Sequence, residues 1–128
     1  MFQKQNCFRR AGLQFLKNAG DGEGEKGVKM LHWSVKQGAS RPLNLTHEYL
    51  NVWHEAADYS ANQIQFQTGS IIGKSNADRS NFEILDRNRN SLYAVPIDFK
   101  NWQNFAVTLI FNRKCVPKPF TRPRMKSY

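Results

Sequence analysis

The chain has 128 residues, 40% apolar and 12% aromatic, which is enough for one domain with a core and too little for two. Its mean hydropathy is −0.66, and no apolar run reaches the roughly eighteen residues that a membrane-crossing helix needs. The net charge of +9 would suit a nucleic-acid surface, but six of the nineteen Lys and Arg, and no acid, fall in residues 113–128, "RKCVPKPFTRPRMKSY". The remainder carries thirteen bases against ten acids, so the basicity belongs to a Pro-containing tail, and neither nucleic acid nor membrane is expected as a partner.

Taken in order, the N-terminal "MFQKQNCFRRAGLQFLK" lacks the apolar core and small-residue cleavage site of a secretory signal. It reads as a short strand or an irregular arm. "NAGDGEGEKG", residues 18–27, has four glycines among alternating charges and is a loop by composition. "VKMLHWSVKQ", residues 28–37, alternates Leu31, Trp33 and Val35 with His32, Ser34 and Lys36, the period of a half-buried strand. A loop over "GASRPLNLT" follows, with Gly38 and Pro42 as breakers.

"HEYLNVWHEA" again has strand period and β-favouring residues. Strict alternation places His47, Tyr49, Asn51, Trp53 and Glu55 on one face, and Glu48, Leu50, Val52, His54 and Ala56 on the other. "NQIQFQT" sets Gln63, Gln65 and Gln67 against Ile64, Phe66 and Thr68. "NFEILD" and "SLYAVPI" predict two strands joined by a hairpin turn over "RNRN". "NWQNFAVTLIFN" is the strongest strand, with Phe105, Val107, Leu109 and Phe111 on one face. Six short strands without a helical period predict an antiparallel β-sandwich or barrel over residues 1–112, followed by a disordered tail over 113–128. A sandwich ending on its most apolar strand would leave that strand short of a partner, so the fold is expected to be incomplete.

The chemistry-bearing groups are few. Glycoside hydrolysis commonly uses two carboxyl groups flanking one bond. Glu55 shares its predicted face with Tyr49 and Trp53, whose rings can stack on sugars, and the glutamine strand offers amides for sugar hydroxyls. The same residues equally fit a core tryptophan and tyrosine beside a surface glutamate. His47 and His54 fall on opposite faces of one strand, so with His32 they do not predict a metal site, and no cofactor is expected. Cys7 and Cys115 lack metal-ligand spacing; one disulfide and two free thiols both remain open. "GDGEG" lacks the Lys-Ser/Thr of a phosphate loop, and "DRNRN" lacks the pattern of a calcium loop. "NLT", Asn44–Thr46, is an N-x-[ST] triplet in a predicted loop.

The segments "FRRAGL", "GVKMLHWSVK", "RPLNLTHEY", "ADYSANQIQFQTG", "LYAVPID" and "NWQNFAVTLIF" resemble, in order and spacing, successive parts of glycoside hydrolase family 131, fungal secreted β-glucanases with a β-jelly-roll fold. The resemblance covers roughly residues 8–112, and "RPLNLTHEY" and "NWQNFAV" are its most specific parts. It implies a metal-independent hydrolase of β-1,3/1,4-linked glucan, extracellular and monomeric, with a β-glucan or cellulosic polysaccharide as partner. It also implies Glu55 as a catalytic carboxylate, with Glu48 as the alternative, and Arg9, Arg10, Tyr49, Trp53 and Gln65 as substrate-binding groups. The first glutamate of the family's Arg-Arg-x-Glu-Leu segment is replaced by Gly12, and a late family histidine has no counterpart. The resemblance therefore also allows a non-catalytic carbohydrate-binding module, or a family member that has lost activity.

Overall fold

The computed structural model describes residue 12 and residues 26–56, 58–73, 78–111 and, for the backbone, 118–120. Arg9, Arg10, Cys7 and Cys115 lie outside the described residues. Seven strands run in chain order: β1 Val28–Val35, β2 Glu48–Glu55, β3 Asn62–Gly69, β4 Asn81–Asp86, β5 Ser91–Pro96, β6 Gln103–Ile110 and β7 Lys118–Phe120. The first six are those that period and turn chemistry predict, to within the residue or two by which strand ends are ambiguous. The seventh falls in the basic tail, which composition alone marked as irregular.

The strands form two antiparallel sheets. β2, β3, β4 and β5 lie side by side in sequence order, and the other sheet has the order β1-β6-β7. β7 gives the apolar strand β6 a second neighbour, with Ala106 opposite Phe120 and Thr108 opposite Lys118. Pro119, which has no N–H to give, is tolerated there because β7 is an edge strand. The described strands are thus all β and antiparallel, in two sheets packed as a sandwich.

The core lies between the sheets. Ile64 and Phe66 of β3 and Phe82 and Ile84 of β4 face Phe105, Val107 and Leu109 of β6, with Leu31, Trp33 and Val35 of β1 packed against them. Aromatic rings make much of this contact. Phe66 meets Phe105 at 4.6 Å and Trp33 at 5.2 Å between centroids, and Phe82 stacks on Phe66 at 5.1 Å. Offset and edge-on pairs at such distances add about 0.5–1.5 kcal/mol each beyond area burial.

The turns follow from local chemistry. The β4–β5 hairpin closes over Asp86, whose Oδ1 accepts the N–H groups of Asn88 and Asn90, each at 2.8 Å. Arg89 takes a left-handed φ of 63° to complete it. Gly69 ends β3 at φ 82°, beside the start of β2. A Cβ at Gly69 would collide with the carbonyl oxygen of His47, which accepts the Ser70 N–H at 3.0 Å. Only glycine lets the two chains approach there, and this contact sets the position of Glu48.

Candidate functional site

The face of the four-stranded sheet turned away from the core carries the polar groups. Register defines it: Trp53 pairs with Gln65 and Gln65 with Leu85 in one row, while Leu50 pairs with Gln67, Gln67 with Glu83 and Glu83 with Ala94 in the next. Alternation along β3 and β4 separates these residues from Ile64, Phe66, Phe82 and Ile84 on the core side.

The strict alternation predicted for β2 breaks at Asn51. Leu50 is opposite Gln67 and Val52 opposite Phe66, so Asn51 is an extra residue in a bulge. The bulge reverses the phase of everything before it. Tyr49 pairs with Thr68, on the side of Phe66, while Trp53 pairs with Gln65. The two aromatics predicted to share a face are therefore on opposite faces. A second shift follows His54, and Glu55 pairs with Asn62 at the strand end.

The predicted residues are distributed as follows. Glu55 is exposed and its side chain makes no ion pair or hydrogen bond among the described residues. Tyr49 is half-buried and its hydroxyl donates to the carbonyl of Asn44 at 3.1 Å. Trp53 is half-buried. Gly12, exposed, stands next to its ring: a Cβ added at Gly12 would lie 3.5 Å from Trp53 Cη2, an ordinary contact. Gln65 is buried, and its Oε1 accepts Gln67 Nε2–H at 2.8 Å. His32 and His47 are exposed and His54 packs on Phe111, so the three imidazoles do not converge.

Glu48 is the best-connected of these groups. Its Oε1 accepts from Gln67 Nε2 at 3.0 Å and pairs with Arg89 Nη2 at 3.5 Å, and its Oε2 accepts the Ile72 N–H at 2.8 Å. Arg89 also donates to the carbonyl of Ile72 at 3.2 Å. Glu48 thereby ties the sheet, the β4–β5 hairpin and the loop after β3 together. It also forms one wall of an open depression of about 590 Å³, lined further by Thr46, Ser70, Ile71, Ile72, Gly73 and Arg79.

Two features escaped the sequence. The glutamine face is not wet: Gln67 is 1% exposed and Gln65 8%. Both donors of Gln67 are used on Glu48 and Gln65, and its Oε1 is buried without a partner. A buried acceptor left unbonded costs on the order of 1–3 kcal/mol. The other feature is Glu83, a buried carboxyl directly across from Gln67 on the same face. Its signal is present in "NFEILD", where Glu83 interrupts the buried apolar run of Phe82, Ile84 and Leu85. Glu48 bonds to Gln67 from β2 and Glu83 stands opposite it in register on β4, with Trp53 one row away.

A family model described as the glycoside hydrolase 131 catalytic N-terminal domain matches residues 1–118. The chain belongs to this family. Comparison with curated proteins gives no match. Membership gives the polar face a meaning that geometry alone does not: it is the face of a glycoside hydrolase domain on which the amides, the tryptophan and the carboxyl groups Glu48 and Glu83 are gathered.

Proposed function

We propose that this glycoside hydrolase family member acts on β-linked glucan, of β-1,3/1,4 type, as an extracellular monomer. The observation that carries this reading is the family match, beside which Trp53 stands half-buried on the sheet face turned away from the core. An indole surface stacks on a pyranose ring; Gln65, a substrate-binding candidate by resemblance, is buried and bonded to Gln67 and would act through the shape of that face. Glu55 is the candidate catalytic carboxylate by resemblance, and its exposure, with no side-chain partner among the described residues, suits contact with substrate. Glu48 suits a supporting role, because both of its oxygens are engaged in holding the loop and hairpin.

Catalysis in this chain is limited by position 12. Where the family resemblance calls for a glutamate, Gly12 offers no side chain, and a Cβ placed there would make only an ordinary contact with Trp53. Loss of one acid–base group costs about 10²–10⁴-fold in rate. That observation favours a second reading, a glucan-binding module without hydrolysis.

Binding to insoluble β-glucan and reducing-sugar release from laminarin and cello-oligosaccharides separate the two. A hydrolase binds and releases sugar slowly, Glu55→Gln abolishes release, and Gly12→Glu raises it by at least tenfold. Binding without release in the wild-type chain, unchanged by Gly12→Glu, establishes the module instead. A chain that neither binds nor cleaves either substrate refutes both.

A further inference from the structure

Asn44-Leu45-Thr46 is the only N-x-[ST] triplet in the chain, and the hydrolase reading makes no use of it. Its three residues are divided between inside and outside. Leu45 packs against the core, whereas Asn44 and Thr46 are exposed. The partly buried middle residue anchors the loop, and the two residues that matter for recognition are exposed.

Local bonding orients the acceptor. The Thr46 hydroxyl donates to Asn44 Oδ1 at 2.8 Å, and the Thr46 N–H donates to the same oxygen at 3.1 Å. The Asn44 carbonyl is held by the His47 N–H at 3.0 Å and the Tyr49 hydroxyl at 3.1 Å. The carboxamide oxygen is thus committed, while Nδ2 makes no hydrogen bond among the described residues. A substituent on Nδ2 of this exposed residue would displace no hydrogen bond among the described residues. An exposed loop that carries such a triplet is where a glycan is compatible with the fold.

We propose that Asn44 is an N-glycosylation site. The donor is an oligosaccharide carried on a lipid diphosphate. Asn44 Nδ2 attacks C1 of the reducing-end sugar, and a C–N bond forms as the C1–O bond to the diphosphate breaks. The lipid diphosphate leaves with the electron pair, and one amide proton passes to a base of the transferring enzyme. No oxidant or metal of this chain takes part. The inference rests on the extracellular setting proposed above, because the donor is met on the secretory route. A glycan at Asn44 would stand near the rim of the depression that Thr46 and Glu48 line, away from the Phe66 core.

The test uses the full chain behind a heterologous secretion leader in yeast, so that entry to the route does not depend on this protein's own targeting. The material, whether secreted or retained in the cell, is treated with peptide-N-glycosidase. The expected result is a single mobility shift that collapses on treatment, with Asn44 converted to Asp in the peptide mass spectrum. Asn44→Gln and Thr46→Ala lose the shift, and Thr46→Ser keeps it. Wild-type chain whose Asn44 peptide is unmodified in both fractions overturns the proposal. Glucan hydrolysis is measured separately on the deglycosylated chain, so failure of the hydrolase reading and failure of this one are distinguishable.

Discussion

The two faces of β3 are equally dry and are held by opposite means. On one, Ile64 and Phe66 are at 0% exposure among rings and aliphatic chains. On the other, Gln65 and Gln67 are buried through a chain of hydrogen bonds running from Gln65 through Gln67 to Glu48. The first face is non-directional and tolerates small shifts in geometry. The second is directional, and it leaves Gln67 Oε1 without a partner. A polar network kept dry but incompletely satisfied stabilises less than an apolar one, and is commonly retained where a site is needed.

Four substitutions or conditions probe this contrast, in order of expected effect. Phe66→Ala removes the ring at the centre of the aromatic cluster and should cost about 3–5 kcal/mol. Denaturant titration should show a sharp fall in midpoint, or no cooperative transition at all. A cost below that of any change on the polar face would mean that the core is not where stability resides.

Glu48→Gln replaces an acceptor by a group that must turn a donor toward Gln67 Nε2, Arg89 or the Ile72 N–H. A loss of about 1–3 kcal/mol is expected. Hydrogen exchange should concentrate the change at residues 70–73, and uniform exchange across the sheet would contradict the clamp assigned to Glu48. Gln67→Met is smaller still. It removes two hydrogen bonds but also the orphaned acceptor, so a net change within about 1.5 kcal/mol is expected from thermal melts. A loss as large as that of Phe66→Ala would show that the network carries the fold.

The smallest effect is pH dependence at the loops. Asp98 has its carboxyl held below the ordinary value of 3.8, first by the Asn101 side-chain amide and then by the N–H groups of Lys100 and Asn101. Asp78 and Asp58 are lowered in the same way, chiefly by the hydroxyls of Ser80 and Ser60. A depressed carboxyl contributes stability that is complete above its unfolded value and is lost as pH falls through its folded value. Melting temperature should therefore be insensitive to these three groups above 3.8 and fall below it. Asp98→Asn should flatten part of that acid limb.

Six of the strands were legible because a half-buried strand must alternate, and because Gly69, Asp86 and Asn90 stand where the chain turns. The candidate site was less legible, and the reasons are local. Tyr49 and Trp53 have sequence spacing that puts them on one face, but the Asn51 bulge separates them. Strand period holds only while the ladder is regular, and a bulge is set by the partner strand. Glu83 stands out in sequence as an acid among Phe82, Ile84 and Leu85, but only the pairing of β4 with β3 puts it opposite Gln67. Gly12 is legible from the family resemblance as the place of a missing glutamate, and only the structure adds that it stands beside the Trp53 ring.

The amino-acid sequence by itself determined that the chain is all-β, which residues alternate inward, where hairpins close and to which hydrolase family it is similar. These are properties of period two, turn chemistry and local motif. Tertiary structure alone decided that β1 pairs with β6, that the basic tail contributes β7, that the glutamine face is buried, and that Glu48 rather than Glu55 is bound into the network. Each of these depends on contacts between residues far apart in the chain, where loop closure and mutual burial choose among pairings that local preference leaves equal.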